Sequence, residues 1–289
     1  MMPQGTVIFL DTSIQIARVT HSPEIKDKIK KRITEYDITA TSSVVKQEFK
    51  RRLLKEARYL LQQFKLRESY KKVLRHVIDN LPPQQARKRT ICLETLATID
   101  ERDDDSDQTD RAILFLKYLL NHGLSDFEKS VDHVFTKSNC ACAKQAITKD
   151  TRGRYDFGIN KCSQTQGKCG ITRFLKEHES ELHEILCDLK KIQSGLGHDQ
   201  KSRELEEIEN FIRFFLDNLG TIESRNPCSS VGDLLIALES CEIPTFYTMN
   251  SKESQFLCRS TKQDLIVRPK NHDRDDIICP KTLEVWPKF

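Results

Sequence analysis

The sequence predicts an α/β fold, a parallel sheet flanked by helices with a mainly helical insertion, and three observations carry that expectation. A short apolar run, Val7-Ile8-Phe9-Leu10, stops at Asp11 and passes through Thr12-Ser13 into a helical stretch. A second helical stretch opens at Pro23 and leads to the short strand Asp37-Ile38-Thr39-Ala40-Thr41, which makes a βαβ unit. The same alternation returns near the other end, where residues 231–238 read as a helix and 243–249 as a strand.

Taken in order, the elements place the polar residues as follows. Asp11 sits at the carboxyl end of the first strand. After Ser42-Ser43, apolar residues at Val45, Phe49, Leu53, Ala57, Leu60, Leu61 and Phe64 recur at three- or four-residue spacing, the mark of a long amphipathic helix. Glu48 falls in its first turns, beside the apolar stripe. Pro82-Pro83 break the helical pattern, and the acidic segment 100–110, with Asp107 and Asp110, is expected to be an exposed loop leading into a helix through Ile113, Leu116 and Leu120. Residues 139–170 are rich in Cys, Gly and polar side chains. Helical stretches around 174–189 and 205–219 follow, joined as a hairpin at Ser194-Gly195-Leu196-Gly197. Asp233 lies near the start of the 231–238 helix, Leu265-Ile266-Val267 reads as a last strand, and an irregular polar tail is expected after it. The resulting division is 1–90 for the first half of a sheet domain, 91–225 for the insertion and 226–289 for the second half with its tail.

Composition narrows the function classes. The 289 residues are 37% hydrophobic and 31% charged, enough for a sizeable core and contrary to wholesale disorder. The longest apolar runs fall far short of the roughly 18 residues of a membrane span, and the N-terminus lacks the pattern of a secretory signal. A cytoplasmic, reducing location is therefore expected, with no membrane partner, and the ten Cys read as thiols or metal ligands rather than disulfides. No phosphate-binding glycine loop, serine-nucleophile elbow or dinucleotide fingerprint is present. Net charge is +4, but positions 26–89 hold 19 Lys/Arg against 7 Asp/Glu, whereas 94–110 hold 8 acids and one Arg. A basic section of that kind attracts a polyanion such as nucleic acid, or forms a solvated helix face.

In an open parallel sheet, ligands bind beyond the carboxyl ends of the strands, where the chain enters helices. Asp11, Glu48 and Asp233 each lie at or near such a position. Carboxylates converging there suit one or two Mg2+ or Mn2+ ions, because hard cations prefer oxygen ligands, and two such ions can promote in-line hydrolysis of a phosphodiester. Each acid taken singly is also an ordinary helix cap or surface charge.

The order of four segments resembles the PIN domain family of metal-dependent nucleases. They are Val7-Ile8-Phe9-Leu10-Asp11-Thr12-Ser13, Ser42-Ser43-Val44-Val45-Lys46-Gln47-Glu48-Phe49, Gly232-Asp233-Leu234-Leu235-Ile236-Ala237 and Tyr247-Thr248-Met249-Asn250. They span about a third of the chain, residues 5–65 and 228–270. The resemblance implies a PIN-like sheet and a metal-dependent ribonuclease, acting on RNA rather than DNA, with Asp11, Glu48 and Asp233 as Mg2+ or Mn2+ ligands. Asn250 stands where the family often has Asp, and Glu253, three residues later, where it often has another acid; the resemblance implies that both orient a metal-bound water or complete the outer shell. The departure at Asn250 favours an alternative reading, a catalytically inactive module that binds nucleic acid or a protein partner through the insertion. A third reading makes the chain the effector of a toxin or defence system, restrained by a partner docked on the insertion. A haloacid-dehalogenase motif would need Asp at Ser13, and a von Willebrand-type metal site would need Ser at Gln15.

The remaining signals lie in the insertion. Cys140, Cys142, Cys162 and Cys169 could hold structural Zn2+ tetrahedrally, although a C-x-C pair with a six-residue gap departs from paired C-x2-C knuckles. Lys144, Lys149, Arg152, Arg154, Lys161 and Lys168, interleaved with Tyr155 and Phe157, would let this module touch a nucleic-acid backbone and stack a base. His178 and His183 are five residues apart, do not share a helix face and are expected on the surface. Phe211, Phe214 and Phe215 form an apolar stripe of core or partner-facing type.

Overall fold

The computed structural model describes residues 6–99, 104–138, 147–149, 155–156, 170–195, 203–218, 231–268 and 276–278. Among the described residues six strands form one sheet: β1 (Val7–Leu10), β2 (Ile38–Ser42), β3 (His133–Phe135), β6 (Thr245–Thr248), β7 (Asp264–Val267) and β8 (Asp276–Ile278), in the order β3-β2-β1-β6-β7-β8. The first five are parallel and β8 pairs antiparallel with β7. A separate two-stranded ribbon joins β4 (Thr148–Lys149) to β5 (Tyr155–Asp156).

The central strand β1 is apolar throughout because helices cover both faces of the sheet. Its alternation divides the interior into two cores. Ile8 and Leu10 pack with Ile14 and Ala17 of α1 (Thr12–Thr20) and Ile29 of α2 (Pro23–Ile33). Val7 and Phe9 join the larger core on the opposite face, where Phe9 stacks on Phe246 at 5.3 Å between ring centroids.

β2 runs directly into α3 (Ser43–Phe49), with the Ser42 hydroxyl accepting from the Val45 N–H at 3.3 Å as the cap. A π turn at Lys50–Leu54 then carries the helix without a break into α4 (Lys55–Arg67), which stops where Glu68 adopts a left-handed conformation, φ 55°. α5 (Tyr70–Asp79) and α6 (Ala86–Leu96) flank Pro82-Pro83.

The acidic stretch differs from its expected loop. Asp104 caps α7 (Asp105–Lys129) by accepting from the Asp107 N–H at 2.8 Å, so Asp107 and Asp110 are exposed helical residues. Carboxylates in a first turn are favoured by the helix dipole, which a hydrophobic pattern alone does not register. α7 leads into β3 beside β2, so the sheet takes one strand from within 91–225. Asp132 Oδ2 fastens that edge by accepting from both the N–H and the hydroxyl of Thr39 at 2.8 Å.

The remaining helices are α8 (Gly170–Glu177), α9 (Glu179–Gly195), α10 (Arg203–Asp217), α11 (Gly232–Ser240) and α12 (Ser251–Ser260). α9 packs on α10 as the hairpin reading requires, and Phe211 stacks on the buried Phe215 at 6.2 Å. β8 replaces part of the expected irregular tail, since three residues are too few for alternation to show.

Candidate active site

Parallel strands bring their carboxyl ends to one edge of the sheet, and the register sets Leu10 against Tyr247 there. Asp11 is the next residue and the N-cap of α1. Its Oδ2 accepts from the hydroxyls of Ser13 and Thr248, both at 2.8 Å, and from the Ser13 N–H at 3.4 Å. The Ser13 hydroxyl in turn accepts from the Met249 N–H at 2.9 Å, which ties the start of α1 to the end of β6. No hydrogen bond among the described residues uses Asp11 Oδ1, which leaves that oxygen's lone pairs for a ligand.

Glu48 lies below Asp11 on α3 and is buried. Its Oε2 accepts from the Thr12 hydroxyl at 2.8 Å, and its Oε1 accepts from Arg52, one helical turn on, at 3.1 Å. Burial raises the Glu48 carboxyl above its ordinary range; Arg52 opposes that shift, the Asp11 charge adds to it, and the Thr12 hydrogen bond and Arg87 oppose it. Two neighbouring carboxylates disfavour each other's charge unless cations stand near them, and here Arg52 and Arg87 do so. Gly232, the first residue of α11, makes the third side of this site. A Cβ there would stand 2.4 Å from Glu48 Oε1, so only glycine lets α11 approach so closely.

Asp233 follows Gly232 and lines the same cleft as Asp11. The cleft, about 380 Å³, is walled by Ser13, Arg52, Arg87, Thr90, Glu94 and Asn250 among others. The structure thus sets Asp11, Asp233 and Asn250 along one cleft, with Glu48 buried behind it against Thr12 and Gly232. Their ligand atoms are more widely spaced than a closed cluster: among the described residues the group of three within 4.8 Å is His178, Glu181 and Cys241. Glu253 falls in the first turn of α12, and its side chain lies outside the described residues.

Several contributors were not singled out in the sequence. Thr248 and Ser13 hold Asp11, Thr12 holds Glu48, and Arg52 and Arg87 supply the cations. The Arg52 signal was available, since a residue four after Glu48 shares its helix face. Thr248 had no such signal, because it meets Asp11 only across the β1–β6 pairing.

Much of the basic section serves the fold instead of the cleft. Lys46 pairs with Glu128, Arg58 donates to the Tyr155 carbonyl at 2.8 Å, and Lys88 sits 3.4 Å over the Tyr59 ring. Tyr155, read as a base-stacking side chain, is half-buried against the core and donates to Asn121 Oδ1 at 3.0 Å. His178 corrects its surface assignment: it is largely covered, meets Phe174 edge-on at 4.6 Å and bonds Glu181, whereas His183 is exposed. Helix-face spacing could not reveal that its ring packs on Phe174 and lies near Cys241. Cys140, Cys142, Cys162 and Cys169, together with Lys144, Arg152, Arg154, Phe157, Lys161 and Lys168, lie outside the described residues.

No family model, curated protein or solved structure matches the chain. These comparisons therefore identify no PIN domain, and the coarse description stands: an α/β fold with five parallel strands flanked by helices. Among the described residues no helix is long and apolar enough to cross a membrane.

Proposed function

We propose that the chain is a metal-dependent nuclease of PIN-like type that hydrolyses phosphodiester bonds, in RNA rather than DNA. The observation that supports this reading best is the cleft at the carboxyl edge of a parallel sheet, lined by Asp11, Asp233, Arg52 and Arg87, with the buried Glu48 joined to it through Arg52 and Thr12. The preference for RNA rests on the resemblance of the four sequence segments alone.

The donor set fits Mg2+ or Mn2+. All three acids offer hard oxygen ligands, Asp11 Oδ1 is uncommitted among the described residues, and the glycine at 232 keeps room for the Glu48 carboxylate. A bound divalent cation, or a pair of them, supplies the charge that polarises a phosphodiester and offsets the charge gathering on its oxygens. The chain's own residues do the rest. Thr248 and Ser13 hold Asp11 in one rotamer, Thr12 does the same for Glu48, and Arg52 and Arg87 draw the phosphate backbone into the cleft. Asn250, on the rim, can orient the attacking water by hydrogen bonding but carries no charge to take up its proton.

That last property supports the second reading, an inactive module that binds nucleic acid or a protein partner on its insertion. Cleavage of end-labelled single-stranded and structured RNA and DNA with Mn2+, Mg2+ or EDTA separates the two. Metal-dependent cleavage is expected, with loss of more than about 100-fold in Asp11→Asn, beyond what an outer-shell partner costs. Cleavage that survives in Asp11→Asn overturns the site, and RNA binding without cleavage or Mn2+ binding favours the module. Structural Zn2+ on Cys140, Cys142, Cys162 and Cys169 belongs to the same proposal, and an unchanged zinc content in Cys140→Ser with Cys142→Ser would exclude those ligands.

A further inference from the structure

We infer that His178, Glu181 and Cys241 form a second metal site, with Zn2+ as its ion, which staples the helical insertion to the sheet domain. One imidazole nitrogen, one carboxylate oxygen and the Cys241 Sγ all lie within 4.8 Å of one another. His178 Nδ1 is 3.2 Å from Glu181 Oε1. Two ligands on a tetrahedral zinc, each about 2.0–2.1 Å from the ion, stand about 3.3–3.4 Å apart, so this pair already has the required separation. The Cys241 sulfur, within 4.8 Å of both, needs to close by at most about 1.2 Å to reach the roughly 3.6 Å at which a sulfur and a nitrogen ligand of one zinc stand.

The chemistry of the three groups is selective. A thiolate, an imidazole and a carboxylate together suit zinc, which accepts sulfur, nitrogen and oxygen ligands, and do not suit Mg2+ or Ca2+. With the thiol and carboxyl ionised and the imidazole neutral, their charge balances a divalent ion. Three ligands leave the fourth tetrahedral position to solvent.

The ligands are also held. His178 occupies the break between α8 and α9, where its ring lies edge-on to Phe174 at 4.6 Å. Glu181 is three residues on, in the first turn of α9, and its Oε2 accepts from the Ser180 hydroxyl at 2.8 Å. Such contacts fix ligand orientation before an ion arrives. Nearby, Lys137 is engaged by Glu242 at 2.8 Å. Cys241 directly follows α11, the helix that begins with Gly232-Asp233. Closing the 59 residues between Glu181 and Cys241 into a loop would therefore fix the far end of the helix that presents Asp233 to the cleft.

The test is independent of nuclease activity. Zinc content of the purified full chain is measured for wild type, Cys241→Ser and His178→Ala, alongside a urea melt to show that each variant is folded. A loss of about one equivalent in each folded variant is expected, and unchanged zinc in both overturns the site. Should either variant fail to fold, alkylation of the wild-type chain decides: Cys241, mapped by mass spectrometry, should be protected with Zn2+ bound and labelled after EDTA, and equal labelling in both overturns the site. Where the variants fold, Co2+ substitution gives a second readout. A sulfur-to-cobalt charge-transfer band should persist when Cys140, Cys142, Cys162 and Cys169 are changed to Ser and vanish on adding Cys241→Ser. A band that vanishes with the four-serine variant, or survives Cys241→Ser there, also overturns the site.

Discussion

Glu48 and Glu239 are both buried glutamates on helices packed against β2, yet their surroundings differ in kind. Glu239 is fully furnished by the protein: Oε1 accepts from the Ser138 N–H at 2.9 Å and the Ser43 hydroxyl at 3.4 Å, and Oε2 accepts from the Val44 N–H at 3.4 Å. Its charge sits at the N-terminus of α3, where the helix dipole favours an anion. Glu48 has one hydroxyl, the Arg52 guanidinium at 3.1 Å, a weaker influence from Arg87 and a like-charged neighbour, and its carboxyl is pushed upward by burial. Burial with complete satisfaction marks a structural joint, whereas a buried carboxyl with fewer partners and a like charge beside it is the kind of group the proposed metal site would use.

The largest effects should separate those two residues. Glu48→Gln is expected to abolish Mn2+ binding, read by isothermal titration, while shifting the urea stability of the metal-free protein by less than about 1.5 kcal/mol. Glu239→Gln should do the reverse, since an amide cannot accept from every donor around it; a loss of about 1–3 kcal/mol with Mn2+ binding intact is expected. Exchanged outcomes for the pair would remove the distinction.

Thr248→Val sharpens the same contrast. It deletes the hydroxyl that donates to Asp11 Oδ2 and keeps the side chain's shape, so Mn2+ affinity should fall about 10–100-fold. An unchanged affinity would show that Ser13 alone positions Asp11. Gly232→Ala forces its Cβ against Glu48 Oε1 and should cost about tenfold in Mn2+ affinity and about 1–3 kcal/mol in stability. Retention of full affinity would mean that Glu48 is free to move aside.

The smallest effect is a slope with pH in EDTA. Because the folded carboxyl of Glu48 is raised, the metal-free protein holds a proton there that the unfolded chain releases near pH 4. Glu48 therefore contributes stability that is complete below that pH and is lost as pH rises through the raised folded value. Urea melts across this window should show a shallower decline for Glu48→Gln than for wild type. Identical slopes would place the raised group elsewhere.

Most of the sheet edge was legible from local pattern. The apolar run at 7–10, the capped start at Asp11, the Ser42-to-Glu48 helix and the Gly232-Asp233 helix all declare themselves within a few residues, because periodicity and caps are local signals. β3 and β8 were not, since three-residue strands carry too little alternation, and α7 reached further into the acidic segment than hydrophobicity alone suggests.

For the site, the sequence by itself singled out three candidate acids, Asp11, Glu48 and Asp233, and the neutral Asn250, at or near the strand ends and helix starts that carry them. It could not determine which side chains serve them. Thr248 reaches Asp11 across 237 positions, Gly232 makes room for Glu48, and His178 meets Cys241 from another part of the chain. Such pairings depend on strand order and helix approach, which are settled only when the whole core packs. Local propensity selects the elements, and tertiary contact decides which buried polar group is satisfied and which is left to bind.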